Sequence, residues 1–419
     1  MKGEKKLEDP FNRILPPSKS SIHEGVLFAG DGTFLHPSLK EWGRSHLLEK
    51  NFDVGKIVCI VMDGRMWVHL LLSKSGRVFR NRRFNCPGIV EVLITPERES
   101  QPSRRIQKIC AGASHFLLLD FEGKIYSFNT QMNEYGQLGV RDTESHGKPQ
   151  LVLFNGSSEY RMTDISAHYV NSFSLSSTGS LWGWGRNNHV FGITIDPNDP
   201  GKAITSPFEM IPGGVSGFIF QGVSCGNFFF RTADGQIGCF GWNGHKQLGA
   251  GNKINIKTPL LRREISGIPS SEVLSISANH SASFILTKTG DVYSSGGLES
   301  SNGFLEPSSE FQKVPFGSPI SQISSGDGRT FFLSYEGDVF YCSHSVWSFL
   351  PKEIKRTRLP GTSIYKLDDL CIPGLAKKEV DNIDLYPKIL AGHNPSLSLM
   401  LAEERPSLFV LSFSKYFPF

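Results

Sequence analysis

The stretch Ile109-Cys110-Ala111-Gly112-Ala113-Ser114-His115, running on through Phe116-Leu117-Leu118-Leu119-Asp120 to Glu122-Gly123-Lys124-Ile125-Tyr126, decides the fold. It opens with small and apolar residues, continues as an apolar strand, turns at a glycine and resumes as an aliphatic-aromatic strand. An unbroken apolar run as short as residues 116–119 suits a strand covered on both faces. The Glu122-Gly123 pair supplies the positive φ of a tight hairpin.

The same module recurs outward in both directions. Its turn glycines are Gly76, Gly123, Gly179, Gly235, Gly290 and Gly337, spaced 47, 56, 56, 55 and 47 residues apart. Two places after each comes an aliphatic residue: Val78, Ile125, Leu181, Ile237, Val292 and Val339. An aromatic follows in five copies (Phe79, Tyr126, Trp182, Tyr293, Phe340), while the Gly235 copy has Gly238 there and Phe240 two residues later. A period near 50 residues with several strands per unit is that of a β-propeller blade. A seventh copy, residues 389–413, has Glu404-Arg405-Pro406 at its turn, and 25–32 reads as half a module. The expectation is an all-β, seven-bladed propeller of four-stranded antiparallel blades, its ring closed by the N- and C-terminal segments. Ring closure removes an exposed sheet edge; whether 25–32 or 407–413 supplies the closing strand stays open. Residues 1–24 are expected to form a flexible tail, and 25–419 a single domain with a long insertion at about 342–388.

Composition agrees with short strands and tight turns: 43 Gly and 31 Phe stand against 7 Met in 419 residues. The net charge of +4, from 44 basic and 40 acidic residues, is too balanced to imply nucleic-acid binding. Seven scattered cysteines (Cys59, Cys86, Cys110, Cys225, Cys239, Cys342, Cys371) include no C-x-x-C pair, and so read as reduced, mostly buried thiols rather than a zinc site or disulfide framework. Residues 1–17 are charged and lack the apolar core of a secretory signal, and no apolar run reaches the length of a membrane span. The expectation is a cytoplasmic and/or nuclear protein that is not secreted, with the sequons at Asn155 and Asn279 occurring by chance.

In its middle modules the chain resembles the regulator-of-chromosome-condensation repeat family. Ala111-Gly112 and His115 lead to Gly136-Gln137-Leu138-Gly139; Trp182-Gly183-Trp184-Gly185-Arg186-Asn187 precedes Phe191-Gly192; Phe240-Gly241-Trp242-Asn243 leads to Gln247-Leu248-Gly249. The outer modules depart from the pattern. The place of His115 is taken by Val68, Asn171, Ala282, Arg329 and Ser396, and the Gly235 copy is shortened there. The resemblance implies partner-binding uses of one fold: nucleotide exchange on a small nuclear GTPase with docking on chromatin, adaptor or regulatory roles, or an accessory role in tRNA-wobble and diphthamide modification. The Asp-His pair that the family carries at one module start does not match here, where the residues are Gly226-Asn227-Phe228 and Asn279-His280-Ser281.

No phosphate-binding loop, nucleophile elbow, His-x-x-His pair or paired carboxylates are present, so no catalytic residue, metal or cofactor is expected. His115 and His280 read as structural side chains bonding the backbone of their own blades, and Asp327 as a turn former. Two basic clusters are the candidate contacts. Lys74, Arg77, Arg80, Arg82 and Arg83 surround one turn, and Lys352, Lys355, Arg356 and Arg358 follow Trp347 in the 342–388 stretch. That stretch reads either as a binding element or as degenerate blade strands. The functional expectation is a monomeric, non-enzymatic scaffold or regulator that binds a protein. The alternative is exchange-factor activity on a Ran-like GTPase with chromatin association, for which 141–161 or 342–388 could supply a nucleotide-displacing wedge.

Overall fold

A computed structural model describes residues 57–62, 69–73, 75–81, 89–94, 104–129, 132–186, 203–218, 220–221, 227–279, 281–297, 301–304, 306–326, 329–343, 356–371, 388–391, 396–401 and 407–412. Their strands group into seven sheets in chain order, the blades I to VII of a propeller, and one two-stranded ribbon, Glu264–Ile265 with Ile268–Pro269, between blades IV and V. Blade I comprises Ile57–Met62, His69–Ser73, Val78–Asn81 and Ile89–Glu91; blade II comprises Ile106–Ala111, His115–Asp120, Ile125–Asn129 and Gln150–Leu151. Blade III comprises Met162–His168, Asn171–Ser176, Leu181–Arg186 and Ala203–Ile211, and blade IV Val215–Phe218, Asn227–Thr232, Ile237–Gly241 and Ile256–Arg262. Blade V holds Val273–Ala278, Ala282–Thr287, Val292–Gly296 and Ser308–Lys313; Phe220–Gln221 joins its inner edge in parallel.

The two remaining blades depart from four strands. Blade VI has Ile320–Gly326, Arg329–Ser334, Asp338–Ser343 and Tyr365–Cys371, with Arg356–Arg358 as a fifth, outermost strand. Blade VII has three described strands, Lys388–Ala391, Ser396–Leu401 and Ser407–Ser412. The segment 25–32, which would complete that blade, and the tail 1–24 lie outside the described residues. Within the stretch 342–388, the hairpin of Arg356–Arg358 and Tyr365–Cys371 pairs into the blade VI sheet.

First strands of consecutive blades touch from I through IV and from V through VII, which places them innermost around the axis. Apolar side chains from facing sheets fill the gaps between blades. Leu70, Val78 and Ile94 of blade I meet Ile109, Phe116 and Phe128 of blade II. Phe173 and Leu181 of blade III meet Phe228 and Phe240 of blade IV. All six residues of His115–Asp120 are buried, as expected for a strand sandwiched on both sides.

Six inner strands share a local irregularity. The register slips by one residue at Val58, Gln107, Thr163, Ser216, Leu274 and Ser321, a β-bulge at the same place in blades I to VI. A bulge disturbs the ladder and leaves a carbonyl to satisfy, and in four blades the bulged side chain donates to a second-strand carbonyl. These bonds are Gln107 Nε2 to Asp120 O (2.7 Å), Thr163 Oγ1 to Leu175 O (3.3 Å), Ser216 Oγ to Arg231 O (3.2 Å) and Ser321 Oγ to Leu333 O (2.9 Å). Leu274 cannot donate and stands half exposed instead.

The turn glycines all adopt positive φ, between 80° and 92°. Three residues before each stands Ser73, Asp120, Ser176, Thr232, Thr287 or Ser334. Each accepts a hydrogen bond from the backbone N–H just past the glycine, at 2.7–3.0 Å. Such side-chain-to-backbone bonds are what turns use to replace ladder partners. The missing aromatic at Gly238 has a steric cause: a Cβ there would lie 2.1 Å from Cζ of its cross-strand neighbour Phe230. Gly238→Ala is therefore expected to destabilise the chain by about 1–3 kcal/mol through overpacking, read as a lowered denaturation midpoint.

Candidate interaction face

Because neighbouring strands are antiparallel, the ring has two unlike faces. The glycine turns and the connectors between blades lie on one. The loops joining first to second and third to fourth strands lie on the other, called here the latch face, because its loops grip the next blade.

The blade II loop shows how. Asn133 Oδ1 accepts from Leu138 N (3.0 Å), and Asn133 Nδ2 donates to Asp142 O (3.0 Å), folding the loop on itself. Gln137 O then accepts from Ser172 Oγ (2.8 Å) and the Trp184 indole N–H (2.9 Å), both in blade III. Blade IV repeats the device. Asn243 Oδ1 accepts from Leu248 N (2.9 Å), Asn243 Nδ2 donates to Asn252 O (2.9 Å), and Ser295 Oγ of blade V donates to Gln247 O (3.2 Å). In blade V, Gly303 O accepts from Ser363 N (3.0 Å), and Gly303 packs on Ile364, so the hairpin of the former insertion is the catch for this latch. The Gly-Gln-Leu-Gly signal seen in the sequence is thus an interblade fastener.

His115 takes part in the same fastening rather than bonding its own blade. Its Nε2 lies 2.9 Å from Ser172 Oγ. Since that hydroxyl donates to Gln137 O, His115 must donate from Nε2, which leaves Nδ1 buried without a hydrogen-bond partner. Burial pushes its pKa down to about 3, and that of nearby His168 likewise, with the repulsion between the two rings a further cause for His168. Both are neutral at pH 7. Asn227 occupies the His115 position in blade IV and reaches Ser283 Oγ of blade V at 3.3 Å, which aligns the module that looked shortened. His280 and Asp327 lie outside the described residues.

The basic clusters divide. Arg77 is spent within blade I: its Nε and Nη2 donate to Glu91 at 2.8 and 2.5 Å, its guanidinium lies over Phe79, and through these hydrogen bonds it holds the Glu91 carboxyl below its usual range. Arg80 is half-buried on the strand Val78–Asn81. In the second cluster Arg356 stacks on Tyr365 and Arg358 Nε donates to Thr362 O (2.6 Å), both inside the blade VI hairpin. Lys74, Arg82, Arg83, Trp347, Lys352 and Lys355 lie outside the described residues. The 141–161 stretch offered as a wedge is used as the end of a latch, the strand Gln150–Leu151 and a turn closed by Phe154 and Ser157.

Sequence reading took the blade IV latch loop for a repeat motif and missed it as a candidate contact surface, where Trp242, His245 and Lys246 sit together on the latch face. The Trp242 and His245 rings meet edge-to-face with centroids 4.7 Å apart, and Trp242 lies over Gly244. The absence of any acidic residue from 235 to 263 is the signal that could have found it. Chemistry of other kinds is thin. Among the described residues no group of three or more His, Cys, Asp or Glu is placed to hold a metal ion, and the thiols of Cys239 and Cys342 are pushed up by burial.

No family model matches the chain. Human E3 ubiquitin-protein ligase HERC2 is 28% identical over 235 residues, covering 54% of this chain and 4% of its own length. An RCC1 repeat-containing protein of Dictyostelium discoideum is 26% identical over 162 residues, covering 38% of this chain and 32% of that protein. The crystal structure of Prp20p from Saccharomyces cerevisiae superposes with a TM-score of 0.59 at 15% identity, over 97% of this chain and 94% of that one. The chain is an RCC1-like propeller, its repeats similar to those of RCC1-repeat proteins. It spans only a small part of HERC2 and a third of the Dictyostelium protein, so the likeness to both is a likeness of repeats. Among the described residues of this RCC1-like chain, no helix is long and apolar enough to cross a membrane.

Proposed function

We propose that this RCC1-like propeller is a non-enzymatic scaffold or regulator that binds a protein partner through its latch face. The observation that carries the reading is the latch itself. Each described latch loop is clamped to the following blade by backbone carbonyls and buried side chains, yet each presents a different outward sequence. A rigid frame with variable loops is how binding surfaces are commonly built. Prp20p, described with its binding to Gsp1p and histones, is one propeller of this architecture with protein partners.

The test places a photo-crosslinking amino acid at Lys253 on the latch face, at Phe121 on the opposite face and at Arg80 on blade I. Capture of one and the same protein in repeated trials from the Lys253 position is the expected result, and capture from Phe121 alone, or from none of the three positions, would overturn the reading. The cluster of Arg80, Arg82 and Arg83 belongs to the proposal as a second contact: reversing all three charges weakens binding and leaves the thermal midpoint unchanged. Exchange-factor activity makes a separate demand, faster release of a fluorescent nucleotide from a Ran-like GTPase. No acceleration across a panel of GTPases would end that alternative.

A further inference from the structure

The blade II and blade IV latches can be superposed residue by residue from their asparagines, and the comparison isolates Lys246. Gly136 and Lys246 both donate N–H to the asparagine carbonyl three residues back (2.8 and 2.9 Å), and both are left-handed, with φ of 70° and 67°. Gly136 is confined, since a Cβ would meet Thr205 Cα at 2.7 Å. Blade IV puts lysine in this conformation instead, although a residue with a Cβ pays about 1 kcal/mol or more there. Five residues on, the pattern reverses. Arg141 is left-handed at 72° in blade II, where its guanidinium packs against Gly156, and Gly251 is left-handed at 76° in blade IV. The strained cation of blade II is thus used within the fold, whereas among the described residues that of blade IV has no such use.

The surroundings of Lys246 explain what it could be kept for. Lys253 and Lys257 are exposed in the same loop and outer strand, and Ile254 between them is 71% exposed. Among the described residues none of these three ammonium groups has a carboxylate partner in an ion pair, and the chain offers no acid between 235 and 263. The other described latches are of the other sign in sequence: 130–149 of blade II carries Glu134, Asp142 and Glu144 against two basic residues, and 297–307 of the adjoining blade V carries Glu299 and Glu306 against none. A latch that is positive where blades II and V carry net negative latches selects its partner by charge and rejects basic segments.

We propose that the blade IV latch loop is a docking site for an acidic protein segment that carries an apolar side chain. Lys246, Lys253 and Lys257 receive its carboxylates, and Ile254 with the Trp242 ring receives its apolar group. This rests on the protein-binding reading above and names the partner's chemistry. Lys246 is its specificity-determining residue, because its strained backbone fixes where that ammonium stands.

The test titrates the full chain with a twelve-residue peptide of glutamates with leucine at every fourth place, beside the same peptide with lysine for glutamate. Binding is followed by the fluorescence of Trp242, isolated by comparison with Trp242→Phe. The glutamate peptide is expected to bind and to weaken as salt rises, while the lysine peptide does not bind. The triple variant Lys246→Gly, Lys253→Ser, Lys257→Ser should lose about tenfold or more in affinity. Lys246→Gly alone should lose about threefold without a fall in thermal midpoint, since glycine relieves the strain. Equal binding of the two peptides, or an unchanged triple variant, overturns the site. A fall in thermal midpoint for Lys246→Gly would show that lysine is kept for stability and overturns its assigned role. Capture of the partner from Lys253 together with either of those peptide outcomes would leave the latch-face reading standing and remove this site alone, whereas capture at Phe121 and not at Lys253 would overturn both.

Discussion

Trp184→Ala is expected to destabilise the propeller by about 3–5 kcal/mol, the usual cost of emptying a buried tryptophan site. Trp184 is fully buried between blades II and III. Its ring stands edge-on to Phe154, with centroids 6.0 Å apart. Its N–H bonds Gln137 O, and Gly139 of the latch lies so close that a Cβ would be 2.7 Å from the indole nitrogen. Truncation removes three things together: interblade contact area, one of the two donors to Gln137 O, and the platform under the latch. Trp184→Phe separates them, because it keeps much of the volume and loses only the donor; a loss of about 1–2 kcal/mol is expected. Denaturant midpoints measure both. A loss below about 1 kcal/mol for alanine would mean that the latch does not depend on its anchor.

Acid should unlock the same interface. The folded-state pKa values of His115 and His168 are pushed down to about 3 by burial, below the usual 6.5 of the unfolded chain. The unfolded chain therefore binds more protons between those values, so stability is full above pH 6.5 and falls as pH drops toward 3. From pH 7 to pH 5 each histidine is expected to remove roughly 2 kcal/mol, about 1.5 pH units at 1.36 kcal/mol each. His115→Asn installs the side chain that blades III and IV carry at this position, Asn171 and Asn227. It should flatten about half of the pH dependence, read from denaturant midpoints at pH 7, 6 and 5. A midpoint as pH-dependent in the variant as in the parent would show that His115 is not the proton acceptor.

Several features were open to reading in the chain itself. The spacing of the turn glycines gave the blade repeat, and the residue three places before each glycine, always Ser, Thr or Asp, was equally visible as a turn partner. Others were hidden by distance along the chain. Arg77 looked like a free cation until Glu91, fourteen residues on, was placed beside it. The stretch holding the basic run that ends at Arg358 read equally as a binding element or as degenerate blade strands, because Ile364, the buried residue of its hairpin, is recognised only through the blade V latch that covers it. His115 was read as serving its own blade, whereas its partner Ser172 is 57 residues away in the next.

The sequence alone determined the module, its turns and the all-β propeller, because φ preference, strand burial and hairpin chemistry act over a few residues and repeat with the blade. Tertiary structure alone decided which charges are spent and which are free. Arg77, Arg141, Arg356 and Arg358 were absorbed by neighbours that only folding brings near, and Lys246 stood out only when two latches could be compared backbone to backbone. An ion pair or a strained φ depends on what lies across a gap, and composition does not record what that is.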